Sequence, residues 1–460
     1  MITLTLAEIA DAVGGRLAGA DPSAQVTGTV EFDSRKVTPG GLFVAFPGEK
    51  VDGHDYAESA VAAGAVAVLA SRPVPVPAVL VEDQLAAMAA LARHVVDRLP
   101  SLVVVGLTGS SGKTTTKDLI AQLLTRLGPT VAPAGSFNNE LGHPYTVLRA
   151  DEKTRFLVLE MGARGAGHIT HLCQVAPPTI GVVINVGVAH IGEFGSVDAI
   201  ATAKGELVEA LPADGVAVLN ADDPRVRAMA GRTGARVVLA GEAPDAAVRA
   251  EDVALSGGRA AYTLVTPDGR APVRLGIAGR HQVGNTLLAA AVAHTLGFPA
   301  EELGAALSEL RVVSARRMDV FDRADGVTVI DDSYNANPAS MAAALRALVG
   351  TGVGRRTVAV LGYMAELGEY EREGHEEVGR LAAELGVDRL IVVGDTAAPI
   401  HAGAAAVATW GGESVLVTDQ GAAVATLRHE LRPGDVVLVK GSRYRTWDVV
   451  DALRADGATS

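Results

Sequence analysis

Short, almost uninterrupted apolar runs alternate with stretches of helical periodicity along most of the chain, and the runs end in glycine-rich or polar turns. Val103-Val104-Val105 reads as a strand buried on both faces. Phe156–Glu160, Thr179–Gly187, Val327–Asp331, Thr357–Tyr363, Arg389–Gly394 and Val436–Lys440 repeat the pattern with helices between them. Such runs are what a parallel sheet with helical crossovers requires. Nearer the N-terminus, Thr5-Leu-Ala-Glu8 predicts a capping box that opens a short helix ending at Gly14-Gly15. Val26–Phe32 and Gly40–Phe46 predict strands, and a helix over Gln84–Leu99 stops at Pro100. Val248–Val273 differs, alternating polar and apolar around an Asp268-Gly269 turn, and predicts a hairpin. Pro338 is placed to start the helix that follows Val327–Asp331.

A length of 460 residues exceeds one ordinary domain. The proline at 100 and the polar stretch around Arg316-Arg317 divide it into three expected domains, 1–100, 101–314 and 315–460. Hydrophobic residues at 48%, aromatic residues at 4% and 52 glycines suit an α/β chain with many tight strand-to-helix turns. The formal net charge of -13 disfavours nucleic acid and anionic membrane surfaces, so an acidic ligand must be held by local cations. Cys173 is the single cysteine, which excludes an internal disulfide and reads as a small core residue. The start MITLTLAEIADAVGG has no basic region before an apolar core, and no stretch reaches the ~18 apolar residues of a membrane helix. The cytoplasm is the expected compartment.

Against that background one stretch carries clear chemistry. In VVVGLTGSSGKTTTKD (103–118), Gly106, Gly109 and Gly112 let a turn bring backbone N–H groups to an anion, and Lys113 adds a point charge. The Thr114 hydroxyl, directly after the lysine, is placed to hold magnesium on nucleotide phosphates. The first glycine lies one residue earlier than the usual phosphate-loop spacing puts it. Glu160 ends the next strand beside this loop, where a hard oxygen ligand for magnesium is wanted.

Other positions stay open on residue chemistry alone. Asp33-Ser34-Arg35 suits a pyrophosphate or base and equally a polar turn with a surface salt bridge. His54 and His190 read as loop histidines, Lys204 as a solvated helix charge, and Arg316-Arg317 as a linker pair. Asn138-Asn139 either lines the site or makes a turn, and Asn285 either faces a nucleotide base or caps its helix. Asp331-Asp332-Ser-Tyr-Asn335-Ala-Asn-Pro338 is a dense polar cluster at a strand end. Lys440-Gly-Ser442-Arg443 offers two cations and a hydroxyl suited to a substrate carboxylate.

Taken together, Asp33-Ser-Arg35, Thr108–Thr116, Phe137-Asn-Asn-Glu-Leu-Gly142, Glu160-Met-Gly, His190-Ile-Gly, Lys204, Asn285, Asp332–Pro338 and Lys440–Arg443 resemble the Mur ligases of peptidoglycan synthesis over nearly the whole chain. The displaced Gly106 is a feature of that family, and Ser111, Gln282 and Tyr145 are departures from it. The resemblance implies a small α/β N-terminal domain for the UDP-linked substrate, a central P-loop-type parallel-sheet ATPase domain, and a C-terminal Rossmann-like α/β domain for the amine, with the outer domains closing on the centre. Asp-Ser-Tyr-Asn-Ala-Asn-Pro points within the family to the branch that adds D-alanyl-D-alanine to a UDP-N-acetylmuramoyl-tripeptide. In that reaction ATP phosphorylates the terminal carboxylate and the amine attacks the acyl phosphate.

The resemblance further implies catalytic roles for Lys113, His190, Lys204 and Arg317. ATP would lie on Thr108, Gly109, Ser110, Ser111, Gly112, Lys113, Thr114, Thr115, Asn285, Arg317 and Asp332. Two magnesium ions would be held by Thr114, Glu160, His190 and a carbamylated Lys204. Substrates would meet Asp33, Ser34, Arg35, Asn138, Asn139, Asn335, Lys440, Ser442 and Arg443. The implied partners are the two substrates, with no nucleic acid, and the implied state is a monomer. A diamino-acid-adding relative, a folylpolyglutamate synthase and a nucleotide switch without ligation are the competing readings.

Overall fold

A computed structural model describes residues 1–48 and 51–458. At its centre is a nine-stranded sheet whose parallel part runs, from edge to interior, Thr130–Val131, Phe156–Glu160, Val103–Thr108, Ile180–Val183, Val216–Asn220 and Arg236–Gly241. Val103–Thr108 therefore has neighbours on both sides and helices over both faces, which is why its Val-Val-Val run is apolar throughout. The expected hairpin is one limb of a three-stranded antiparallel meander, Val248–Ser256, Arg259–Thr266 and Gly269–Ala278, which extends the same sheet. The loops that carry the phosphate loop, Glu160 and His190 all leave the carboxyl ends of adjacent strands, the edge where open α/β sheets gather ligands.

The N-terminal part holds a five-stranded sheet built from Arg16–Ala18, Ala78–Leu80, Ala65–Ala70, Gly41–Val44 and Val30–Glu31. The capping box is present, with the Thr5 hydroxyl accepting from Glu8 N and the Glu8 carboxylate accepting from Thr5 N. The strand expected over Val26–Phe32 is instead two short pieces, Gln25–Val26 and Val30–Glu31, in different sheets. Gly28 separates them because its Cα is pressed against the Pro39–Gly41 backbone, and a Cβ there would lie 2.7 Å from Gly41 N. The C-terminal part is a six-stranded sheet in which Thr328–Asp332, Val436–Lys440, Thr357–Leu361, Arg389–Val393 and Glu413–Val417 are parallel and Asp319–Asp322 is an antiparallel edge.

The apolar cores do not treat the three parts alike. One cluster runs from Ile2 and Leu4 through Met88, Leu91 and Val95 into Val104, Val147, Leu157 and Leu172, joining the N-terminal and central parts through the Gln84–Asp97 helix. The two clusters of the C-terminal sheet contain no residue before Met318. The first junction is a shared core and the second is not. No helix among the described residues is long and apolar enough to cross a membrane.

Candidate active site

The phosphate loop turns at Gly112, whose φ of +79° is in the left-handed region, and the Lys113–Thr125 helix starts there. A Cβ at Gly112 would sit 3.1 Å from Asn285 Oδ1, so glycine lets the Gln282–Thr295 helix rest against the loop. Asn285 does not cap that helix; its amide donates to Gln282 Oε1 at 2.9 Å. Lys113 Nζ donates to the Gly109 carbonyl at 2.9 Å. Its pKa is lowered by burial, raised again by Glu160 and lowered by Arg317.

Glu160 is 1% exposed and has three donors: Thr114 Oγ1 at 2.9 Å on one oxygen, with Ser136 Oγ at 3.0 Å and Asn138 Nδ2 at 2.7 Å on the other. Three donors hold the buried carboxylate in place. Asn139, one residue on, accepts from Gly142 N at 2.9 Å with its side-chain Oδ1, in the turn that leads into the Gly142–Val147 helix.

Asn185 was not singled out by the sequence, yet it braces the loop. Its Oδ1 accepts from Ser110 N and Ser111 N at 3.0 Å each, and its Nδ2 donates to Ser111 O at 3.1 Å. Two of the amides expected to face phosphate are therefore turned to a side chain. The available signal was a polar residue just beyond a buried strand, too common to be read without knowing that Ile180–Val183 pairs with Val103–Thr108.

Lys204 is buried, 4% exposed, in the Val197–Glu209 helix, so it is no solvated charge. Burial, and then the nearby Lys113 charge, pull its pKa well below the ordinary lysine range. Its ammonium has no hydrogen bond or ion pair among the described residues. His190 has a left-handed backbone, φ 62°, and its Nδ1 lies against the Glu366 carboxylate across the junction with the C-terminal part, while burial and then the Lys113 charge lower its pKa.

The C-terminal part completes the site. Arg317 Nη2 donates to Thr114 Oγ1 at 3.3 Å, while its guanidinium lies 4.2 Å from the centre of the Tyr334 ring. Arg316 points the other way, over Trp447 and onto Asp451, so the pair is not a solvated linker. Asp332 accepts from Met318 N at 3.1 Å and from Lys440 Nζ at 2.5 Å. Lys440, 2% exposed, also donates to Asn335 O at 2.9 Å, and Ser442 Oγ accepts from Ala365 N at 3.0 Å. Arg443 is the cation of this strand end that reaches solvent, and it holds Glu366 at 2.8 Å.

Lys113, Thr114, Glu160, His190, Arg317 and Arg443 line one cavity of about 820 Å³ between the central and C-terminal parts, and Lys204 is not part of its lining. Asp33, Ser34 and Arg35 line none of it: Arg35 is mostly exposed and forms a two-point pair with Asp33 at 2.8 Å and 2.8 Å. That turn is nevertheless anchored to the centre, since Glu31, just before it, accepts from the Tyr145 hydroxyl at 2.7 Å, and Phe32 packs edge-on against the Tyr145 ring.

Residues 28–100 match the Mur ligase family catalytic domain, 107–293 the Mur ligase middle domain, and 316–443 the Mur ligase glutamate ligase domain. The chain is 51% identical to the UDP-N-acetylmuramoyl-tripeptide D-alanyl-D-alanine ligase of Mycobacterium tuberculosis, over 99% of this chain and 98% of that one. It belongs to the Mur ligase family. The Escherichia coli enzyme of the same name is 37% identical over 99% of this chain and 100% of its own. A crystal structure of MurF from Acinetobacter baumannii superposes with a TM-score of 0.88 at 31% identity, covering 100% of this chain and 99% of that one. MurF from Thermotoga maritima in complex with ADP gives 0.81 at 31%, covering 94% and 99%.

Among the described residues of this Mur ligase no three His, Cys, Asp or Glu side chains are grouped to hold a metal on their own. What the site offers instead is an oxygen pair, Thr114 and Glu160, with cations around it. Behind it lies His143, fully buried, with the Glu160 and Leu172 carbonyls nearby but neither aligned for a hydrogen bond. Burial lowers its pKa from 6.5 to about 4. The unfolded chain therefore binds a proton between those values that the fold excludes, so stability is full above pH 6.5 and falls as pH drops toward 4. The loss by pH 4.5 is about 2 to 3 kcal/mol. In His143→Leu the thermal midpoint should fall less between pH 7 and pH 4.5 than in the wild type; equal falls would assign the acid sensitivity elsewhere.

Proposed function

We propose that this Mur ligase uses ATP to join D-alanyl-D-alanine to the terminal carboxylate of UDP-N-acetylmuramoyl-tripeptide, giving the pentapeptide precursor, ADP and phosphate. The observation that carries the reading is the Arg317–Thr114 contact, which brings a cation of the amine-binding part onto the phosphate loop. A carboxylate attacking a phosphoryl group brings two anions together, and preorganised cations lower that barrier. Lys113 sits on the phosphate loop and Arg317 faces it from the other side, so both serve that purpose only when the two parts meet.

The buried Thr114 hydroxyl and Glu160 carboxylate are hard oxygen donors that fit magnesium, and ligand phosphates would complete the coordination. Lys204, buried without a counter-charge, suits capture of carbon dioxide as a carbamate; with His190 and Glu160 it would hold a second ion. Bound magnesium would neutralise phosphate charge and fix the direction of transfer. We assign the UDP moiety to Asp33, Ser34 and Arg35, and the adenine side of ATP to Asn285 and Asp332. Asn138 and Asn139 line the acyl side, while Asn335, Ser442 and Arg443 form the dipeptide side, with Lys440 fixing Asp332 and the Asn335 carbonyl. We place the reaction in the cytoplasm, where ATP and UDP-linked precursors are held.

The test is phosphate release with ATP and magnesium. UDP-N-acetylmuramoyl-tripeptide plus D-alanyl-D-alanine should give turnover; the UDP-linked dipeptide with meso-diaminopimelate, and a folate with glutamate, should give none. Turnover in either of the latter and none in the first would overturn the assignment.

A further inference from the structure

Glu366 stands in the loop after the Thr357–Leu361 strand, with φ 65° and its side chain 19% exposed. Three cations or potential cations surround its carboxylate: Arg443 Nη2 at 2.8 Å from the C-terminal part, and His190 Nδ1 and Arg164 Nη2, the latter at 3.7 Å, from the central part. Its carbonyl accepts from Gly192 N at 3.3 Å, again across the junction. Among the described residues, four of the eight non-glycine positions with left-handed φ line this one cavity, and Glu366, His190 and Arg443 are three of them. Backbone held in that region costs energy and persists where surroundings demand a particular side-chain position.

The remaining carboxylates at the cavity are differently placed. Glu160 already has three donors, and Asp332 is taken by Lys440 and Met318 N. Glu140 belongs to the central part, in the turn after Asn138-Asn139. Glu366 is thus the acid beside Arg443.

We propose that Glu366 is the receptor for the ammonium group of the incoming amine substrate, in an exchange in which a zwitterion replaces the internal Arg443–Glu366 pair. The idea rests on the reaction assigned above, in which Arg443 takes the dipeptide carboxylate. Once Arg443 turns to that carboxylate, Glu366 loses its nearest guanidinium and keeps only His190 and the more distant Arg164, and an acid short of positive charge in a mostly buried position is costly. A dipeptide carries both charges. Its carboxylate satisfies Arg443 and its ammonium satisfies Glu366, so no charge is stranded at either end. The side of Glu366 that meets His190 faces the central part, so the substrate nitrogen is delivered toward the site where the acyl group is activated. An amine lacking a carboxylate, or an acid lacking an amine, completes only half of the exchange.

The experiment compares two ligands of one skeleton in wild type, Glu366→Gln and Glu366→Asp, with ATP and the UDP-linked tripeptide present. D-alanyl-D-alanine is the substrate, and propionyl-D-alanine, with hydrogen in place of the ammonium, is the competitive inhibitor. In Glu366→Gln the KM for the dipeptide should rise roughly 10- to 100-fold, the range for a hydrogen bond between charged groups. The inhibition constant of propionyl-D-alanine should not rise, since the variant has no acid for it to strand, the KM for ATP should stay as in wild type, and Glu366→Asp should recover part of the loss. An equal loss for both ligands would reduce Glu366 to a structural contact and overturn the proposal, as would an unchanged KM. A wild-type enzyme silent with D-alanyl-D-alanine would instead overturn the reaction itself, and this subsite with it.

Discussion

Lys113→Ala should lower kcat/KM by roughly a thousandfold or more, about 4 kcal/mol of transition-state stabilisation. The figure follows from where the ammonium sits. Lys113 is held to Gly109 O across the turn of the loop, so it needs no reordering when a triphosphate enters. Its pKa is drawn down by burial and restored in part by Glu160, which keeps a cation beside an acid in a poorly hydrated site, where a phosphate gains most from it. Arginine should not rescue, because a planar guanidinium cannot keep the single-point contact with Gly109 O. Single-turnover phosphate release, with circular dichroism to confirm folding, measures the loss; a variant within about tenfold of wild type would remove Lys113 from the transition state.

How much of this was legible in the chain depended on whether the signal was local. The phosphate loop and Glu160 declare themselves because glycine spacing, Lys-Thr and a strand-end carboxylate sit within a few residues of one another. Asn185, Glu366 and the Arg317–Thr114 contact are different. Each acquires its meaning from a partner far along the chain, Asn185 from strand pairing and the other two from the way the C-terminal part sits on the centre. Lys440 shows a related limit: its position at a strand end was readable, but its burial against Asp332 was not. The Val26–Phe32 break had a visible cause in Thr27-Gly28-Thr29, yet a glycine within an apolar run reads equally as a bulge.

The cores also refine the expectation that both outer domains close on the centre. A continuous apolar cluster fixes the N-terminal part to the central sheet, and moving it would expose that surface to water. The hydrogen bonds and charged contacts between centre and C-terminal part include Arg317 on Thr114, Glu366 against His190, and Gly192 N on Glu366 O at 3.3 Å. Interfaces of that kind open and close at low cost. We therefore propose that the C-terminal part is the one that carries closure, with Glu366 on the surface that moves.

Lys204→Ala should cost roughly 100- to 1,000-fold in kcat, and the loss should respond to small acids in a way no other variant does. A lysine buried without a partner and close to Lys113 is strained as an ammonium, since burial and a like charge both oppose its proton. As a neutral amine it is a nucleophile, and adding carbon dioxide with release of a proton to solvent turns it into a carbamate anion that attracts Lys113 where an ammonium is repelled. The wild type in buffer stripped of carbon dioxide should then lose activity and regain it with bicarbonate. Lys204→Ala should ignore bicarbonate and regain part of its rate with acetate or formate, which can fill the vacated space with a free carboxylate. Intact-mass measurement is unsuited to a labile carbamate, so carbon-13 NMR with labelled bicarbonate is the direct reading, with one resonance expected in wild type and none in Lys204→Ala. Full activity in Lys204→Ala, or a wild type indifferent to bicarbonate with no labelled resonance, would leave Lys204 an uncharged core residue and exclude the carbamate.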